Sequence, residues 1–280
     1  MSDVSKRVDW EQHERQFLDG RAAHSGDQRL VEREYPQEPD EFRSEFQRDY
    51  TRIIHSRAFR RLRQKTQVFI SPRNDHLCTR LEHSLHVASV ATTIARALRL
   101  NEDLVQAIAV GHDLGHAPFG HAGERVLDVL AKKKDLSFAH ELHGLRVVDK
   151  LDSPYENHVG LNLTFAVRDG IVCHYGEGFE KELRPDQDKA PSCLTKTVRG
   201  QSRPTTLEGC VVRWADKIAY LGRDLEDAIT LKLLDEVEVP DEVKTAMGTR
   251  NRASSMRWCK TWWPTQRRTR CESAIVSTMP

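Results

Sequence analysis

Apolar residues recur at helical spacing along most of this chain. Between Thr79 and Leu100, Val87, Val90, Ala91, Ile94 and Leu98 share one stripe, which predicts a long amphipathic helix. The stretch SEFQRDYTRIIHSRAFRRLRQKTQVF carries Ile53, Ile54, Ala58, Phe59 and Leu62 on or near one stripe and reads as another helix. SPRND, residues 71–75, is a turn signal. Residues 102–113 predict a helix with Leu104 and Ile108 on one side and Asn101 as its N-cap. Glycines and Pro118 then break the pattern, and HAGERVLDVLA restarts it. SFAHELHGLRVVDKL and TFAVRDGIV read as helices, and residues 181–206, with prolines, charges and Ser/Thr, as a loop. The last strong helix spans 207–234, with Val211, Ala215, Ile218, Leu225 and Ile229. No period-two alternation is sustained and no internal repeat is found, so the expected fold class is all-α, a helical bundle.

The two ends depart from this pattern. Residues 1–50 are dominated by charge with scattered apolar residues, and read as an arm, an irregular segment or an oligomer contact. Residues 51–234 form the expected domain, and 235–280 an atypical C-terminal segment, irregular or truncated. Its first part, to residue 247, is acidic; from 248 onward Glu272 is the single acidic residue, and Trp258, Trp262 and Trp263 lie among basic ones. Three readings stay open there: a disordered basic tail, a stretch that is not native coding sequence, or a basic–aromatic contact for single-stranded nucleic acid.

Composition narrows the class. A chain of 280 residues can bury a substantial core, and 30% charged residues give it a wet surface. The net charge of +1 supplies no global field for a polyanion, so any anion site must be local. Cys78, Cys173, Cys193, Cys210, Cys259 and Cys271 form no CxxC pair. The N-terminal stretch lacks the apolar core of a signal peptide, and no apolar run approaches the ~18 residues of a membrane span. Free thiols, a cytoplasmic location and no membrane partner are expected.

Candidate chemistry concentrates in GHDLGHAPFGHAGE, residues 111–124. His112 lies four residues after Ile108 and eight after Leu104, so it faces inward at the end of its helix, with Asp113 beside it. His83 shares the inward face of Val87, Val90 and Ile94; alone, a satisfied core histidine is the commoner explanation. Asp216 lies four residues after Val212 in a helix built for burial. Buried carboxylates are costly unless paired or metal-bound. Two imidazoles and two carboxylates from three helices would hold a divalent cation, and the mixed N/O set suits Mn²⁺, Fe²⁺ or Mg²⁺ with positions left open. The absence of cysteine from the set argues against structural zinc.

His83, His112–Asp113 and Asp216 resemble the metal signature of the HD-domain phosphohydrolase superfamily. TRLEHSLHVA, GHDLGHAPFGHAGE and ADKIAYLGRDLEDA, in that order, resemble its deoxyguanosine-triphosphate triphosphohydrolase branch, and RIIHSRAFRRLRQKTQVF and GLNLTFAVRDGI add to the match over about residues 40–232. The resemblance implies hydrolysis of a deoxynucleoside triphosphate to deoxynucleoside and inorganic triphosphate, with water attacking the α-phosphorus. It implies phosphate binding by Arg80, Lys217 and His116, His116 alternatively protonating the leaving 5′-oxygen. It implies water activation or orientation by His121 and Glu124, although these residues, three apart at a helix start, also read as a capping ion pair. Tyr220 is expected to stack on the sugar, and Gln67 and Asp224 to meet its 3′-hydroxyl; the alternative for Asp224 is a salt bridge to Arg223 or another arginine. His140 and Glu141 resemble a segment near the phosphates.

The basic run Arg57, Arg60, Arg61, Arg63 and Lys65 reads as a solvated face or as a site for a nucleotide effector or nucleic acid. The resemblance also implies a homo-oligomer, up to a hexamer, and longer chains whose C-terminal helices complete the domain. This chain is therefore expected to be incomplete at that end. Two other readings remain: an HD phosphohydrolase acting on a nucleoside monophosphate, cyclic nucleotide or guanosine polyphosphate, and an inactive nucleotide-sensing or nucleic-acid-binding relative.

Overall fold

The computed structural model describes residues 6–69, 76–175, 183–197 and 202–247. Their regular elements are helices, and the one β-type pairing among them is an isolated antiparallel bridge between Thr66 and Thr79. The fold is an all-α bundle, as the apolar pattern predicts. The basic, tryptophan-containing stretch 248–280 and the SPRND turn lie outside the described residues.

The chain begins with α1 (Lys6–Phe17), followed by α2 (Glu45–His55) and α3 (Arg57–Arg61), which runs into a 3₁₀ turn, Leu62–Gln64. The single helix expected over residues 44–69 is therefore interrupted. Ser56 turns extended, and its hydroxyl accepts the Phe59 amide, capping α3 and stopping α2. This break lets Ile53 and Leu62 both reach the core. α4 (Arg80–Leu98) starts on a capping box in which Thr79 and Glu82 satisfy each other's backbone amides. Arg99, left-handed at φ 55°, ends it.

α5 (Glu102–Gly111) is capped by Asn101, as expected. The sequence suggested one buried side, yet Leu104, Val105, Ala107, Ile108, Ala109 and Val110 are all buried. A helix apolar on every side belongs in the middle, and α5 is packed by α2, α4, α8 (Phe165–Cys173) and α9 (Leu207–Thr230). Between them come α6 (Gly120–Lys132) and α7 (His140–Arg146), the latter widening into a π turn, Val147–Leu151. A 3₁₀ helix, Pro191–Lys196, punctuates the expected loop, and Glu236–Glu238 and α10 (Asp241–Met247) follow α9.

The charged N-terminal stretch packs onto this bundle. Ala22, Ala23 and Leu30 join the core. Buried Glu208 at the start of α9 accepts the amides of Ala23 at 2.9 Å and Asn101 at 3.0 Å. Glu14 accepts Asn101 Nδ2 at 2.9 Å and the Ser25 amide at 2.7 Å. Arg33 reaches Glu45 and Asp49 at 2.7 and 2.6 Å. Among the described residues no helix is long and apolar enough to cross a membrane, and Cys78, Cys173, Cys193 and Cys210 are free thiols.

Candidate metal and catalytic site

Three helices of the packed centre each bring one side chain to a common point. His83 stands one turn into α4, His112 follows the last turn of α5, and Asp216 lies midway along α9. Asp216 Oδ1 is 2.8 Å from His83 Nε2 and 3.7 Å from His112 Nε2. His112 Nδ1 lies 2.7 Å from the Ala109 carbonyl, which can only accept, so Nδ1 carries the proton and Nε2 offers a lone pair. That Nε2 is buried without a hydrogen-bond partner. Burial alone would raise the pKa of Asp216, but the His83 hydrogen bond and the nearby His112 hold it well below the usual carboxylate range. His83, His112 and Asp216 present donor atoms within 4.8 Å of one another. A buried imidazole lone pair lacking a donor, beside an ionised carboxylate, fits a divalent cation.

Asp113 stands slightly apart from this trio. Its Oδ2 is 3.5 Å from His112 Nε2 but 2.8 Å from Arg80 Nη1. Burial works to raise its pKa, but Arg80 together with His112, His116 and His83 holds it well below the usual carboxylate range. The expected fourth ligand is thus adjacent to the other three and is paired with the arginine expected to bind phosphate.

The loop after His112 folds back against α7. A Cβ on Gly115 would come 2.1 Å from Gly144 N and 2.2 Å from the His140 carbonyl, so only glycine allows this approach. Phe119 and Gly120 are both left-handed, at φ 64° and 59°, and turn the chain into α6. His116 is thereby stacked on His140, with ring centroids 4.5 Å apart. Burial first, then the Arg80 charge, push the His116 imidazole down to about 2, so it is neutral near pH 7.

Glu124 lies between two imidazoles. Its carboxylate is 3.0 Å from His121 Nδ1 and 3.1 Å from His140 Nδ1, and it also accepts the His140 amide at 3.1 Å. Burial opposes ionisation, but the hydrogen bonds from His121 and His140 hold Glu124 well below the usual range. A capping pair would bond the first turn of α6; this carboxylate instead ties α6 to α7. His140 Nδ1 is also 3.4 Å from Glu141.

One histidine of the cluster escaped the sequence reading. His174, just past α8, is 3% exposed, with Nε2 at 3.2 Å from His140 Nε2. Its Nδ1 lies 2.6 Å from the Ile171 carbonyl, the same i−3 anchoring that orients His112. The signal was available: like His112, His174 ends an apolar helix on its buried face. Burial, then His112 and His140, push its pKa down to about 3.

A cleft of about 200 Å³ opens onto His83, Asp113, His116, His121, His140 and His174, with Gln67, Arg80, Asp216, Lys217 and Tyr220 on its walls. Gln67 is held by the short antiparallel pairing of residues 65–67 with 78–80, through its amide to Cys78 and its carbonyl to Arg80. Its buried Oε1 has no hydrogen-bond partner. Lys217 Nζ lies 5.1 Å from the Trp214 ring centre, and Tyr220 is 42% exposed. Asp224, one turn beyond, is outside the cleft lining. Arg223 pairs with Glu226 and Asp227 and leaves Asp224 alone. Both Asp224 oxygens are buried without a partner, and burial, then Asp227, raise its pKa to about 7.

The sequence profile of the HD domain matches residues 80–221, which include all of the convergent metal-type ligands. The chain belongs to the HD domain family. HD domains are metal-dependent, and the His83, His112 and Asp216 trio is a ligand set that fits this. The chain is 47% identical over 246 residues to a deoxyguanosinetriphosphate triphosphohydrolase-like protein of Desulfatibacillum aliphaticivorans, covering 88% of this chain and 64% of the relative. A protein of the same description from Caldanaerobacter subterraneus subsp. tengcongensis is 46% identical over 241 residues, 86% of this chain and 62% of its own. This HD-family chain therefore spans less than two thirds of the length of these curated relatives.

Proposed function

We propose that the chain hydrolyses a deoxynucleoside triphosphate, with attack of water on the α-phosphorus and release of deoxynucleoside and inorganic triphosphate. The observation that carries this reading is the Glu124–His140–His174 row beside the His83, His112 and Asp216 trio in one cleft. Ionised Glu124 can only accept, so His140 Nδ1 donates to it. His174 Nδ1 donates to Ile171, so His174 Nε2 also only accepts. The 3.2 Å contact between His140 and His174 is then a hydrogen bond only when His140 carries a proton on both nitrogens. His140 Nδ1 is tied to Glu124, which places the ring to pass a proton to a leaving oxygen while Glu124 balances the charge. His121, on the other side of Glu124 and 47% exposed, orients the attacking water.

His83, His112, Asp113 and Asp216 would hold the divalent cation, which when bound supplies Lewis-acid polarisation of a phosphoryl oxygen. Arg80 and Lys217 face the anionic chain, whose transferring group needs charge stabilisation more than covalent help. Gln67 Oε1 offers an acceptor to the sugar, with Tyr220 against its ring; Asp224, behind the lining, would reach the 3′-hydroxyl only if the cleft opened toward it. The relatives' printed names support the substrate class. Incubating the purified chain with Mn²⁺ and each deoxynucleoside triphosphate, then separating the phosphates by ion chromatography, is the test. Inorganic triphosphate is expected; orthophosphate or pyrophosphate as the product would overturn the reading.

A further inference from the structure

A second set of lone pairs converges beside the His83, His112 and Asp216 trio. His116 Nδ1 lies 3.3 Å from the Ala117 carbonyl, which only accepts, so Nδ1 carries the proton and Nε2 offers a lone pair. That Nε2 is buried without a hydrogen-bond partner, as His112 Nε2 is in the trio. His140 meets acceptors on both sides, Glu124 at Nδ1 and His174 at Nε2, while a neutral ring has one proton to give. His121 Nδ1 faces the same carboxylate at 3.0 Å. One donor atom from each of His116, His121, Glu124 and His140 lies within 4.8 Å of the other three. A cation among these four gives the His116 lone pair a partner and bridges His140 Nδ1 to Glu124, and the single His140 proton then serves His174.

We propose that His116, His121, Glu124 and His140 form a second divalent-metal site, sharing no ligand with the trio and suited to Zn²⁺. Imidazole and carboxylate are zinc donors at about 2.0–2.2 Å, and four of them complete a tetrahedron. Small side-chain rotations bring donors already within 4.8 Å onto such an ion. The charge of Arg80, which reaches His116, is offset by Asp113 at 2.8 Å. The ion enters through the cleft that His116, His121 and His140 line, where the His121 side chain is 47% exposed. With four side chains around it the ion keeps no position for water or substrate, unlike a catalytic metal. It also takes the donor atoms by which His121, Glu124 and His140 handle protons, so zinc inhibits. That consequence rests on the hydrolytic reading; the binding does not.

The test is calorimetric titration of Zn²⁺ into the full chain stripped of metal, with no nucleotide present. Two equivalents are expected to bind. His112→Ala, which loses the metal that the trio carries, should still take up one added equivalent. On that background His121→Ala and, separately, the same-shaped Glu124→Gln should weaken the remaining equivalent about tenfold or more, since removing a ligand costs at least as much as removing a group that orients one. His121 is exposed and Glu124→Gln keeps its volume, so both variants should fold, which circular dichroism checks. A single equivalent in the parent, or a second left unweakened by either substitution, would overturn the proposal, whether or not the chain releases triphosphate.

Discussion

His112 is fixed by a backbone carbonyl on one nitrogen and left without a partner on the other. This gives the residue scale its clearest prediction. His112→Ala should lower bound divalent metal to roughly a tenth or less, while helix content stays as it was. Metal analysis after gel filtration, alongside circular dichroism, checks both parts; unchanged stoichiometry would refute the ligand assignment. Asp224 gives a pH prediction. Its folded pKa, about 7, lies above its ordinary value of 3.8. Its contribution to stability is therefore fully present below about pH 4 and is lost as pH rises through 7. Asp224→Asn should leave stability unchanged near pH 4 and add about 1–2 kcal/mol at pH 8, after discounting for partial exposure. Urea unfolding at the two pH values reads it, and equal effects at both would contradict the assignment.

Elements were legible wherever local signals agreed. The stripe from Val87 to Leu98 and the cap at Asn101 gave α4 and α5 directly. The Ser56 break was missed because the residues on either side keep an apolar stripe, and periodicity does not register a single extended residue. Gly115 shows what an element needs from its neighbour. Gly115→Ala should push the loop off α7 and destabilise the chain by about 1–3 kcal/mol, with bound metal falling as well. A thermal melt and metal analysis test this, and a variant as stable as the parent would show that the loop can yield.

At the scale of the whole molecule, the N-terminal stretch is fastened by buried carboxylates rather than by a broad apolar face. Glu14 anchors Ser25 and Asn101, and Glu208 anchors Ala23 and Asn101. Glu14→Ala leaves buried donors unmet, which costs about 1–3 kcal/mol. It should expose residues 18–44 to limited proteolysis before the bundle itself is cut. Resistance equal to the parent's would mean the stretch is held by other contacts. Charge composition alone left this stretch open among an arm, an irregular segment and an oligomer contact, because a buried hydrogen-bonded Glu and a solvated one look alike in sequence.

The sequence by itself determined the helical class and the family signature. It also singled out His83, His112 and Asp216, because helical spacing placed them on faces otherwise made for burial, and Asp113 as the carboxylate beside His112. Tertiary structure decided what each group meets. It separated Asp113 from the convergent trio by pairing it with Arg80, and set Glu124 between His121 and His140. It also added His174, distant in sequence, to the row. Spacing reports which face a side chain occupies; partners, protonation and buried charge depend on distances between helices, which only packing fixes.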